Sequence, residues 1–316
     1  MTLTPMKTYF GSQFLDADFP PQTVVALGNF DGVHLGHQAI LGRALEDSRT
    51  LGHPVVAFTF KPHPTIELKP ESDLRLLMTY DEKRIRLQGL GVDYCIEEPF
   101  NSTFASLSAK KFFDRILLGR ARARVIVVGE NFTFGRNREG TIPVLKEFCD
   151  AAGVTLRALP PVEVEGLPVS SSRIRSALSE GQVRVASELL GRPFFYKAEV
   201  VHGDKRGRTI GFPTANMKCD TKFPLRSGVY ATTVFWQGKI YPSVTNLGTR
   251  PTFDSSELRM ETHLLHEDLE LYGEILEVSF HERIRDERKF GSLEELKHQI
   301  RADTELAGHL LSSRNS

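Results

Sequence analysis

Along the first half of the chain, short apolar runs alternate with amphipathic stretches. Thr23–Leu27, Pro54–Phe60, Asp93–Ile96, Arg124–Val128 and Val154–Leu159 are β-branched runs of strand length. His37–Ser48, Asp81–Leu90, Ser108–Leu118 and Ile142–Ala151 carry helical spacing instead. Strands without polar alternation need cover on both faces, so this pattern predicts βαβ units around a parallel sheet. Ser170–Leu190 predicts a further helical region, interrupted near Gly181.

After Gly191–Pro193 the texture changes. Strand-like runs follow one another with turns between them, at Phe195–His202, Gly228–Trp236, Lys239–Val244, Glu261–Leu265 and Glu274–Phe280. They predict an antiparallel barrel or sandwich. Ser292–Arg301 predicts a closing helix, with Ser292 and Glu295 spaced as a capping box. The boundary between the two textures falls near residue 187, giving domains 1–186 and 187–316.

Length agrees with this division, since 316 residues suit two domains. Forty basic residues balance forty acidic ones, so no global basic field recruits nucleic acid or an anionic membrane. The apolar runs fall far short of the roughly twenty residues that span a bilayer. Cys95, Cys149 and Cys219 are odd in number and widely spaced, which fits neither a disulfide framework nor a zinc motif. With no signal-peptide pattern at the amino terminus, a cytoplasmic protein is expected, and a homo-oligomer stays open.

Candidate chemistry concentrates where the first strand meets the first helix. The segment Gly28-Asn29-Phe30-Asp31-Gly32-Val33-His34-Leu35-Gly36-His37 lies there, at the edge where parallel α/β sheets bind ligands. Gly28 and Gly36 allow close backbone approach to a phosphate, and the helix start adds free N–H groups and a favourable dipole. His34 and His37 can donate to phosphoryl oxygens as charge builds on a leaving pyrophosphate. Asp31 can order the loop or orient a histidine.

This segment resembles the His-x-Gly-His signature of nucleotidyltransferases. In its longer form it resembles the adenylyltransferase module of bacterial bifunctional riboflavin kinase/FAD synthetases. The Lys-Met-Ser-Lys-Ser loop of class I aminoacyl-tRNA synthetases has no counterpart here. Val169-Ser170-Ser171-Ser172-Arg173-Ile174-Arg175 is similar to the family's Ser-Ser-Thr-Arg-Ile-Arg segment, with Ser172 in place of threonine. The resemblance implies that Ser171, Ser172 and Arg175 join Gly28, Asn29, Asp31 and Gly36 around ATP. It also puts Pro64, Asn131 and Phe134 at the flavin; by residue type alone, Phe132 and Phe134 suit a core equally well.

A second motif, Gly203-Asp204-Lys205-Arg206-Gly207-Arg208-Thr209-Ile210-Gly211-Phe212-Pro213-Thr214-Ala215-Asn216, resembles the riboflavin kinase signature. It implies ATP contacts from Gly203, Lys205, Gly207 and Arg208. Thr214 and Asn216 offer hard oxygen ligands to Mg2+. Glu261 matches the family's catalytic glutamate, and a base is needed because an alcohol is a poor nucleophile. Arg285 is implied at the flavin, although surface charge also accounts for its segment. Beyond Leu265, His266 and Glu267 depart from the family's Asp-Phe pair.

The family fold so implied is a Rossmann-like α/β nucleotidyltransferase domain, then an all-β six-stranded antiparallel barrel of riboflavin kinase type with a C-terminal helix. Riboflavin, FMN, FAD and ATP are the expected substrates and products. The rival readings are an adenylyltransferase with an impaired kinase module, and a flavin- or nucleotide-binding regulator without turnover.

Overall fold

The computed structural model describes residues 5–202, 210–220, 222–251, 256–265, 267 and 269–313. The chain divides into two compact units, Met1–Ser171 and Ser172–Ser316.

In the first unit, β1 (Lys7–Tyr9), β2 (Thr23–Leu27), β3 (Val55–Lys61), β4 (Tyr94–Pro99), β5 (Ala123–Gly129) and β6 (Thr155–Leu159) form one sheet. Its order is β1-β4-β3-β2-β5-β6 and every pairing is parallel. Helices α1 (Leu35–Leu51), α2 (Pro64–Leu68), α3 (Tyr80–Gly89) and α4 (Ile142–Ala152) alternate with the strands. Successive strand residues feed different cores. Val25, Leu27, Val56, Phe58, Ile126 and Val128 pack on one face, and Val24, Ala26, Val55, Ala57, Val125 and Val127 on the other. Each fully buried aliphatic side chain of this kind contributes about 1.5–3 kcal/mol. That double coverage is why the strands read as unbroken apolar runs.

Strand order reverses between β2 and β5, and in open α/β sheets ligands commonly bind beyond the carboxyl ends of the strands at such a reversal. The loops after β2 and β5 leave the sheet at that reversal. Two features went beyond the hydrophobic pattern. Strand β1 is three residues long and pairs only with β4. The helix expected at Ser108–Leu118 widens into π geometry over Phe112–Arg120.

Helix α5 (Ser171–Ser179) begins on the last residue of the first unit, and α6 (Val183–Leu190) follows it after Gly181 in a left-handed conformation (φ 81°). The end of α5 is tied to the segment leading into the barrel, where the Leu178 carbonyl accepts from the Arg226 N–H at 3.0 Å. Strands β7 (Phe194–Val201), β8 (Ala215–Lys218), β9 (Gly228–Trp236), β10 (Lys239–Pro251), β11 (Ser256–Leu264) and β12 (Ile275–Arg285) close into an antiparallel barrel. Helix α7 (Leu293–Ser312) comes last, capped by Ser292, while the Glu295 carboxylate accepts from the Gly291 N–H at 3.0 Å instead of closing the expected box on Ser292; the helix is a full three turns longer than its sequence pattern suggested.

The barrel interior holds Tyr230, Leu247, Met260, Val278 and Phe280, all fully buried. It also holds a hydroxyl ladder, in which Thr232, Thr245 and Thr262 are linked at 2.7 and 2.9 Å and Ser243 joins Thr232 at 2.8 Å. These buried hydroxyls satisfy one another, so they sit inside at little cost. Residues of opposite parity face outwards. There Val229, Ala231 and Val244 pack against Ala307 and Leu311 of α7.

Candidate active sites

The first candidate site is the turn joining β2 to α1. Phe30, Gly32 and Val33 have φ of 50°, 85° and 43°, a run of left-handed conformations that is costly for phenylalanine and most of all for β-branched valine. Burial holds it in place, because the Phe30 and Val33 side chains are both in the core. The Asp31 carboxylate accepts from the Leu77 N–H at 2.9 Å, and the Asp31 carbonyl accepts from Ser171 Oγ at 2.9 Å. Asp31 thus orders the loop.

His34 is the N-cap of α1, and its Nδ1 accepts from the His37 N–H at 3.3 Å. An accepting Nδ1 places the ring proton on Nε2, which becomes a donor. The His34 and His37 rings stack with centroids 3.7 Å apart, and Phe30 meets His37 edge-on at 5.3 Å. Burial pushes the His37 titration well below the ordinary histidine range, and the charges of His34 and Lys83 add to it. His37 is therefore a neutral imidazole, and its Nδ1 is buried without a hydrogen-bond partner among the described residues. A side chain at Gly36 would come within 3.2 Å of the His34 ring.

At the end of β3, His63 caps α2 through Nδ1, which accepts from the Thr65 N–H at 3.2 Å, and Pro64 takes the first helical position. After β5, Asn131 is exposed. Phe132 and Phe134 stack at 5.6 Å, but Phe134 is buried against Phe112 while Phe132 is only half-buried. Phe132 therefore presents more ring surface at this edge than Phe134.

The second candidate site lies on the outer face of the barrel. Registers place Asn216 opposite Glu261, Glu261 opposite Asn246, Asn246 opposite Val229, and Val229 opposite Arg285. Five strands thus contribute one belt of residues. It lines a cavity of about 450 Å³ that α7 partly walls with Leu296, Ile300 and Asp303. Glu261 is exposed at this face.

Asn216 Nδ2 donates to the Thr214 carbonyl at 3.2 Å, which leaves Oδ1 as an acceptor. Neither Asn216 Oδ1 nor Thr214 Oγ1 receives a hydrogen bond from the described residues. Two uncommitted hard oxygens fit magnesium that completes its shell with phosphates and water. No cluster of three or more acidic, histidine or cysteine side chains occurs among the described residues. His263 Nδ1 bonds the Pro213 carbonyl at 2.8 Å and so braces the Thr214 segment. Arg285 is gripped by Asp303 through Nε and Nη2.

Two matching stretches coincide with these two sites. The FAD synthetase family model matches residues 16–173 and the riboflavin kinase family model residues 190–311. The bifunctional riboflavin kinase/FMN adenylyltransferase of Bacillus subtilis is 38% identical over 292 residues, covering 90% of this chain and 92% of its own. The enzymes of that name from Escherichia coli K12 and Pseudomonas fluorescens are 38% and 40% identical over 281 and 286 residues. They cover 89% and 90% of this chain, and 90% and 91% of their own. The chain belongs to the bifunctional riboflavin kinase/FMN adenylyltransferase family.

A solved structure named as a macrolide-efflux protein from Streptococcus pneumoniae superposes with TM-score 0.87 at 34% identity, covering 96% of this chain and 99% of that one. In this family member, no described helix is long and apolar enough to cross a membrane.

Of the residues expected at the adenylyltransferase site, the first unit gathers Gly28, Asn29, Asp31, His34, Gly36, His37 and Ser171 about one turn. Pro64, Asn131 and Phe134 follow the carboxyl ends of β3 and β5. Ser172, exposed, and Arg175, half-buried, stand on α5 in the second unit. At the kinase site, Thr214, Asn216, Glu261 and Arg285 line one cavity. Gly203, Lys205, Gly207, Arg208 and His266 lie outside the described residues.

Sequence reasoning missed Asn246, Glu287 and Asp303. Partial burial, with the charge of Glu261 adding to it, raises the Glu287 carboxyl above its ordinary range, while hydrogen bonds from Asn246 and the Thr249 backbone oppose the shift. For Asn246, the register opposite Glu261 is the signal that singles it out.

Proposed function

We propose that this chain makes both flavin nucleotides. The barrel unit phosphorylates riboflavin with ATP to give FMN and ADP. The α/β unit joins FMN to the AMP of a second ATP and releases pyrophosphate. The observation that carries this reading is the belt of Asn216, Glu261, Asn246 and Arg285 around one cavity. A mere binding protein has no need of a carboxylate base beside uncommitted oxygen ligands. The functional boundary near residue 187 falls between the two matched stretches.

In the kinase step, Glu261 accepts the proton of the riboflavin 5′-hydroxyl as its oxygen bonds the γ-phosphorus. The bond from the γ-phosphorus to the bridging oxygen breaks, and ADP leaves. Thr214 and Asn216 would hold magnesium, whose charge would offset that of the phosphates. Arg285, immobilised by Asp303, orients the flavin.

The adenylyl step needs no base. The FMN phosphate has a second pKa of about 6, so it arrives largely dianionic and attacks the α-phosphorus directly. The bond to the leaving pyrophosphate breaks in the same step. The Nε2–H of His34, the neutral His37 and the N-terminal amides of α1 donate to oxygens that gain charge. Ser171, Ser172 and Arg175 hold the ATP phosphates. Asn131 meets the polar edge of the isoalloxazine, beside Pro64 and Phe134. Three unpaired, buried thiols support a reducing, cytoplasmic setting.

Chromatography of flavins after incubation with riboflavin, ATP and magnesium tests the assignment. Wild type should yield FMN and FAD, Glu261→Ala only unchanged riboflavin, and His37→Ala FMN without FAD. FAD made from riboflavin by Glu261→Ala would remove that carboxylate from the base role.

A further inference from the structure

Lys83 sits where an apolar side chain would ordinarily be. It shares the buried face of α3 with Leu87, one turn on, and is only 4% exposed. Its Nζ donates to the Asn29 carbonyl at 3.2 Å and to Thr59 Oγ1 at 3.0 Å. Thr59 Oγ1 in turn donates to the same Asn29 carbonyl at 3.0 Å. The Tyr80 ring lies 4.9 Å from Nζ.

Its neighbour Arg84 is satisfied differently, with Nη1 bonded to both oxygens of buried Glu97 at 2.9 and 2.8 Å. That pair is neutral as a unit. Among the described residues Lys83 makes no ion pair; neutral oxygens and a ring face meet its ammonium, burial lowers its titration, and the charges of Glu97 and Asp31 oppose that from further away. Burying an ammonium in this way costs more than a methionine of similar shape would. Structural packing alone therefore does not account for lysine.

The place of the charge does. Asn29 is the last residue before the left-handed run at Phe30, Gly32 and Val33, and that run delivers His34 to the start of α1. The Asn29 carbonyl is thus the near anchor of the turn, as Asp31 and Ser171 are its far anchors. His37 lies close enough to feel the Lys83 charge.

We infer that Lys83 is a positioning residue for AMP transfer. It clamps the Asn29 carbonyl so that the turn keeps its strained form beneath the phosphates, and its fixed positive charge favours a polyanion there. This rests on the adenylyltransferase reading of the first unit.

The test compares full-length wild type, Lys83→Met and Thr59→Val. Formation of FAD from FMN and ATP is followed alongside phosphorylation of riboflavin, and the urea unfolding transition of the first unit, which carries both substitutions, reports that it has folded. The His37 titration is followed by NMR without ligand. For Lys83→Met, kcat for FAD formation should fall about 100-fold, the loss expected when reacting groups shift by about 1 Å. KM for FMN should change less than about threefold, and riboflavin phosphorylation should be retained. His37 should titrate at higher pH, because a nearby cation has gone. A lysine that merely filled space would leave kcat for FAD formation where it was.

FAD formation by Lys83→Met within about threefold of wild type, or an unmoved His37 titration, overturns the inference. If Lys83→Met does not fold, the near-isosteric Thr59→Val decides. It keeps the ammonium but removes the hydroxyl from the clamp, and FAD formation should drop about tenfold; no drop overturns the inference. Wild type that makes no FAD from FMN would remove the adenylyltransferase reading itself.

Discussion

Arg285 at the end of β12 and Asp303 in α7 face each other in a two-pronged ion pair, Nε and Nη2 lying 3.0 and 2.7 Å from Oδ2. Asp303 is buried, and Gln299 Nε2 donates to its other oxygen at 2.7 Å. The helix behind the cavity thus fixes the guanidinium proposed to orient riboflavin. Asp303→Asn should raise KM for riboflavin in the kinase step and leave FAD formation from FMN intact. Removing one partner of a buried pair should also destabilise the barrel unit by about 3 kcal/mol, read as a shift of its denaturant midpoint.

His263→Ala tests the brace on the segment proposed to hold magnesium. Without the ring, the Pro213 carbonyl loses its 2.8 Å bond and the Thr214 segment loosens. The magnesium concentration that half-saturates the kinase should rise. His263→Asn, which can still donate to a carbonyl, should restore part of the loss. An unchanged magnesium dependence in the alanine variant would argue against this coupling.

The depressed titration of His37 gives stability a definite pH dependence. The unfolded chain takes up a proton below an ordinary pKa of about 6.5, whereas the folded chain resists it because the ring is buried. Stability contributed by the neutral ring is fully present above about pH 6.5 and declines as pH falls towards the lower folded value. Urea midpoints measured from pH 7.5 to 5 should fall more steeply in wild type than in His37→Asn. Equal slopes would contradict the buried neutral state.

Gly36→Ala addresses the geometry of the paired rings. Its methyl would press within 3.2 Å of His34 Cε1 and Nδ1, so the ring must move and its bond from the His37 N–H weakens. FAD formation should fall about 10- to 100-fold with riboflavin phosphorylation unchanged. Full activity would mean that the cap tolerates the shift.

Much of the first unit was legible because its strands are buried on both faces, so the apolar runs were unbroken. The three-residue β1 was not, since so short a segment carries no period. Helix α7 read as ending at Arg301 because Asp303 interrupts its apolar stripe. The stripe resumes at Ala307 and Leu311, and Asp303 stays buried by virtue of Arg285. Lys83 was invisible for the same reason: a charge on a buried helix face reads as solvent-facing until its partners are known.

By itself, the sequence determined the two textures and singled out the turn at His34 and His37, proposed to bind phosphate, and Glu261, proposed as the base. Only the tertiary structure decided which face of the barrel is the site. Alternation along a strand defines two faces without saying which is inside. Closure puts Thr232, Thr245 and Thr262 inside, where hydroxyls satisfy one another. Glu261 goes outside, because a carboxylate in that interior would have neither water nor a cation to hold its charge.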